Sequence, residues 1–131
     1  MSEHDEQKAL FEWADRMIAQ GSIPELANMF AIPNGAWMKN PAIAQKQKQE
    51  GLKKGVPDIF LAVPNNEKEY HGLFIEMKFG KNSLTPDQCA WHAALLSFGF
   101  QYAVCYSWII AAQAIVLYLG KGSKNFPELF E

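Results

Sequence analysis

Two short segments of the chain carry the residue types needed for hydrolytic chemistry. Gly55-Val56-Pro57-Asp58 leads into one apolar run, and Glu76-Met77-Lys78 closes the next. Side chains two apart on a β-strand share a face, so Glu76 and Lys78 project together with the Met77 carbonyl between them. A turn near Asn66-Glu67-Lys68 would fold the second run back on the first and set Asp58 across from Ile75–Met77. Two carboxylates and an ammonium then converge. Like carboxylates at short range repel and call for a cation, and hard oxygen ligands suit Mg²⁺ or Mn²⁺, which keep several waters. A lysine beside such a water can orient it or help to deprotonate it, and charge developing on a phosphoryl oxygen is stabilised by the cation. This is equipment for hydrolysing a phosphodiester. For E-x-K alone, a surface salt bridge of Lys78 with Glu76 or Asp58 is the plainer reading. An aspartate placed by Gly-x-Pro at the entry of the preceding strand favours the site.

The elements that must hold these residues follow from periodicity and punctuation. Residues 3–20 read as an amphipathic helix with Leu10, Trp13, Ala14, Met17 and Ile18 at helical spacing, ended by Gly21. Ser22 and Pro24 suggest a second short helix to about Phe30, and Pro33-Asn34-Gly35 a turn. Asn40-Pro41 opens a lysine-bearing helix to Glu50, stopped by Gly51. Pro57–Val63 and Leu73–Phe79 form a β-hairpin across a polar loop. Thr85-Pro86-Asp87-Gln88 starts a helix with Trp91, Leu95 and Phe98 on one face, Gln101–Tyr106 is a third strand, and Ser107 caps a final helix through Tyr118. A hairpin followed by a helical crossover predicts one compact α/β domain over 1–131, a central mixed β-sheet flanked by helices. The segment from 119 to 131 is expected to be a loosely held tail.

Composition agrees with a folded, water-soluble chain. It has 131 residues, 49% of them hydrophobic and 20% charged, enough to bury a core and unlike a disordered segment. Two cysteines, Cys89 and Cys105, make no disulfide framework or zinc motif and read as buried small hydrophobes in a reduced, cytoplasmic setting. The polar, acidic start is no signal peptide, and the run Trp108–Leu119 is too short to span a bilayer; no membrane partner is expected. The net charge of −2 hides an asymmetry. Residues 1–15 carry five acids and one lysine, whereas residues 39–54 carry five lysines and one glutamate. Lys46, Lys48, Lys53 and Lys54 therefore read either as a solvated face or as phosphate contacts leading a DNA backbone to Asp58, with Lys81 extending the track. Trp37 and Met38 precede the lysine helix and are either core residues or wedges at a DNA branch. His4, His71 and His92 read as surface or packing residues.

The segments Gly51-Leu52-Lys53-Lys54-Gly55-Val56-Pro57-Asp58, Glu76-Met77-Lys78 and Thr85-Pro86-Asp87-Gln88, in this order and spacing, resemble the virus-type replication-repair nuclease (VRR-NUC) domain, a branch of the PD-(D/E)XK nuclease superfamily. The resemblance extends over nearly the whole chain and is to the stand-alone form found in phages and bacteria. It implies a restriction-endonuclease-like fold, with Asp58 and Glu76 as metal ligands, the Met77 carbonyl completing the metal shell, and Lys78 as the catalytic lysine. It also implies a role for the E-x-x-x-Q pair on the first helix, which falls on Glu3 and Gln7, with Glu6 competing for the glutamate's place. Gln88 matches the family glutamine after the E-x-K strand, although Thr85 and Gln88 also have capping-box spacing. The activity implied is a Mg²⁺-dependent endonuclease, Mn²⁺ substituting, on branched DNA such as a Holliday junction, acting as a homodimer in a bacterial or phage-infected cell. A nicking or flap nuclease of the same chemistry and a catalytically silent DNA-binding phage accessory protein are the alternatives.

Overall fold

A hydrophilic serine begins the first element. In the computed structural model, which describes residues 2–33 and 40–131, Ser2 accepts from the Asp5 backbone N–H and Asp5 accepts from that of Ser2, a reciprocal cap on helix α1 (Glu3–Ala19). Leu10, Trp13, Ala14 and Met17 form its buried stripe. The chain then makes a 3₁₀ turn over Pro24–Asn28 and enters strand β1 (Met29–Ala31). Helix α2 (Pro41–Gln49) is capped by the Asn40 side chain and buries no residue. Strands β2 (Ile59–Leu61) and β3 (Leu73–Met77) are followed by helix α3 (Pro86–Ser97), strand β4 (Gln101–Cys105) and helix α4 (Trp108–Leu119). Trp37 and Met38 lie outside the described residues.

The sheet order is β1-β2-β3-β4. The first two pairings are antiparallel and β3–β4 is parallel, the register setting Ile59 opposite Ile75 and Glu76 opposite Val104. The mixed sheet with a helical crossover is thus as expected. Alternation sorts each strand between two faces. Ile59, Leu61, Leu73, Ile75 and Met77 point into the core beneath α1 and α4, with Leu10, Trp13, Ile115 and Val116. Phe60, Phe74 and Tyr102 occupy the opposite face, where Phe60 and Phe74 stack with centroids 4.2 Å apart. Asp58, Glu76 and Lys78 continue that second face past its aromatic part.

Three local expectations are corrected. The short helix expected to reach Phe30 stops at Asn28, and Met29–Ala31 pair with β2 instead. Leu26, Met29 and Phe30 are spaced as on a helix, but the free edge of β2 offers backbone partners that a short helix cannot match. The tail is not loose. Phe126 and Leu129 are 5% and 3% exposed and join the main core, Lys121 pairs with Glu25 at 2.7 Å, and Gln113 donates to the Leu129 carbonyl. Burying an aromatic or leucine side chain contributes roughly 1.5–3 kcal/mol, enough to hold an otherwise polar segment. Of the cysteines, Cys105 is buried as expected but Cys89 is exposed, because α3 turns that side to solvent.

Candidate active site

Antiparallel pairing brings the start of β2 beside the end of β3. The Asp58 backbone N–H donates to the Ile75 carbonyl at 3.1 Å, and Asp58 Oδ2 accepts from the Met77 N–H at 2.8 Å. The Asp58 carboxylate is therefore held against β3 beside Glu76. Glu76 and Lys78 are buried, 3% and 8% exposed, while Met77 sends its side chain to the core and also borders the cleft. The Lys78 backbone is pinned by donation to the Cys105 carbonyl at 2.9 Å.

These residues form the floor of a cleft of about 800 Å³. Glu3, His4 and Gln7 of α1 stand on one wall, Lys48 of α2 and Lys53–Val56 on another, and Thr85 with Gln88 at the start of α3 on a third. Gly55 makes the junction of two walls possible. Its φ is +86°, and a Cβ there would lie 2.6 Å from the Asp87 Cβ, so only glycine allows this loop to touch α3. Trp91 Nε1 donates to the Lys54 carbonyl at 3.1 Å, and Lys54 Nζ lies 3.6 Å from Asp87, fastening the same contact.

Burial is the largest cause pushing the Glu76 carboxyl up to about 9, and hydrogen bonding to and repulsion by Asp58 add to it. Lys78 opposes the shift and Glu3 adds slightly to it. Near neutral pH and without a cation, Glu76 therefore keeps a proton against Asp58. A buried carboxyl of this kind gives up its proton readily only to a positive charge. The donor set fits a hard divalent cation: two carboxylates and the neighbouring Met77 carbonyl, all oxygen. Among the described residues no group of three or more His, Cys, Asp and Glu side chains converges, so remaining positions would fall to water and substrate oxygens.

The first-helix ambiguity resolves in space. Glu3 and Gln7 line the cleft, whereas Glu6 Oε1 accepts from the Trp108 N–H at 3.2 Å and caps α4. Gln88 lines the cleft while its Oε1 accepts from the Thr85 N–H at 2.9 Å, so the capping box is made and its amide nitrogen is left for the cleft. Lys48, Lys53 and Lys54 line the cleft; Lys46 and Lys81 are exposed outside its lining. Two participants escaped the sequence reading. Tyr102 donates to Glu76 Oε1 at 3.4 Å, and His4 lines the cleft. Alternation on β4 could have marked Tyr102 as facing one side, but only the β3–β4 register shows that the side is that of Glu76.

The VRR-NUC domain model matches residues 6–108. The chain belongs to the VRR-NUC family, a nuclease family of the PD-(D/E)XK type whose members usually use divalent metals. The matched segment begins three residues after Glu3. A solved VRR_NUC domain protein is similar in fold, with a TM-score of 0.72 and 23% identity over 93% of this chain and 91% of that one. No curated protein matches. No helix among the described residues is long and apolar enough to cross a membrane.

Proposed function

We propose that this nuclease domain is a structure-specific DNA endonuclease dependent on Mg²⁺, with Mn²⁺ substituting, of the type that resolves Holliday junctions or trims repair and replication intermediates. The observation that carries the reading is the Asp58 carboxylate, held against β3 beside the buried Glu76 and Lys78, at the floor of an open cleft. Asp58, Glu76 and the Met77 carbonyl would hold the metal, whose charge lowers the cost of negative charge on the phosphoryl oxygens. Lys78, buried and lining the cleft, orients the attacking water through its ammonium protons. Gln88 and Glu3 support the reacting groups from two separate walls. Lys48, Lys53 and Lys54 hold backbone phosphates on the approach, and Lys46 and Lys81 extend the track outside it.

A two-fold dimer suits a two-fold junction, since each subunit then cuts one of two symmetry-related strands. The partly exposed Ile109, Ile110 and Leu117 give α4 an apolar outer side that supports such pairing. The test is cleavage of a labelled four-way junction beside linear duplex, flap and single-stranded DNA, each with Mg²⁺, Mn²⁺ or EDTA. Paired symmetric nicks on the junction, dependent on metal, are expected. Cutting of flap or nicked duplex alone would make it a nuclease of the same chemistry with another substrate, and metal-independent binding with no cutting would leave a silent DNA-binding protein.

A further inference from the structure

Glu76 stands opposite Val104 on β4, an apolar neighbour that offers its carboxylate no hydrogen bond. The donor comes from the diagonal position. Tyr102, paired with Phe74, sends its hydroxyl to Glu76 Oε1 at 3.4 Å. Tyr102 is 7% exposed and Glu76 3%, which leaves little surface for water to replace the phenol. The Tyr102 ring lies against the His92 ring of α3, with centroids 4.4 Å and planes 27° apart. The sheet register and this stack restrain the ring, so the hydroxyl is aimed by packing. A phenol donates one proton; it occupies one carboxylate oxygen and leaves the other for Asp58 and the cleft.

We infer that Tyr102 is a positioning residue, holding the Glu76 carboxylate in the rotamer that meets Asp58 and accepts a divalent cation, with His92 as its brace. The inference rests on the nuclease reading of the site. Tyr102→Phe removes the hydroxyl and keeps the ring and its stack. Titration of the protein with Mn²⁺, the free ion counted by electron paramagnetic resonance, needs no DNA and no turnover. Partners that orient metal ligands typically change affinity 10–100-fold, so the Mn²⁺ dissociation constant of Tyr102→Phe is expected to rise about tenfold. The Mn²⁺ concentration for half-maximal cleavage should move by the same factor, with kcat recovering at saturating Mn²⁺ and KM for DNA unchanged. His92→Leu, which withdraws the brace but keeps the hydroxyl, should shift the constant less and in the same direction, and it carries the test if Tyr102→Phe does not fold. An unchanged Mn²⁺ constant in the folded variant would reduce Tyr102 to a packing residue and overturn the inference. Wild-type protein that takes up no Mn²⁺ would overturn the nuclease reading and this inference with it; the two failures are told apart by whether the wild-type protein binds the ion.

Discussion

Asp58, Glu76 and Lys78 occupy one end of one sheet face, with Glu76 and Lys78 buried and Asp58 half-buried. Removing the Lys78 amine leaves the carboxylates and their backbone contacts in place. Lys78→Ala is therefore expected to lower cleavage by at least about 10²-fold, in the range of a lost acid–base group, while DNA binding and the thermal midpoint change little. Retained cleavage would remove Lys78 from the reaction. The raised Glu76 carboxyl has a consequence for stability. The folded state holds this proton up to about pH 9, whereas an unfolded glutamate releases it near its ordinary 4.5. Its stabilising contribution is thus complete below pH 4.5 and is lost as pH rises through 9. A divalent cation would replace the proton, so Mg²⁺ or Mn²⁺ should raise the thermal midpoint more at pH 8 than at pH 5. Equal increments at both pH values would argue against a cation on Glu76.

At the level of loops and helices, the cleft depends on contacts that bring separate segments together. The loop before β2 meets the start of α3 through Gly55, whose φ of +86° and 2.6 Å approach to Asp87 leave no space for a side chain. Gly55→Ala should cost about 1–3 kcal/mol from backbone strain, with the loop pushed off α3 and the Trp91–Lys54 hydrogen bond lost. Urea unfolding measures the cost, and Trp91 fluorescence reports the displacement; a neutral substitution would show that the contact is not needed. The same loop carries Lys53 and Lys54. Replacing both with alanine should weaken binding to all DNA shapes alike and lower the log–log salt slope by about 1.8 for duplex. Loss confined to one DNA shape would mean that these lysines read structure rather than phosphate.

Taken as a whole, the molecule closes its core with residues far from the site in sequence. Phe126 and Leu129 pack under α1 and α4, so the last segment belongs to the folded unit. Phe126→Ala should destabilise the domain by about 3–5 kcal/mol, the usual range for a buried aromatic, measured by chemical denaturation. A change below 1 kcal/mol in that experiment would return the segment to the status of a tail. Glu6 links distant parts in a similar way, joining the first helix to the start of the last through Trp108.

Local order along the chain was enough to bring Asp58, Glu76 and Lys78 together, because that needs only a two-residue strand period and a hairpin. Asp58 therefore falls beside Met77 as the spacing of the two apolar runs requires. The helices capped by Asn40, Thr85 and Ser107 were legible for the same reason, since each cap acts within three residues. Long-range pairing was not legible. Met29–Ala31 became a strand because β2 presented an unpaired edge, and Glu6 left the cleft to Glu3 because α4 needed a cap. Tyr102 reached Glu76 only through the register of β4 on β3. Hydrogen bonds and burial between segments tens of residues apart depend on which surfaces the folded chain brings together, and no local pattern of residue types encodes that choice by itself.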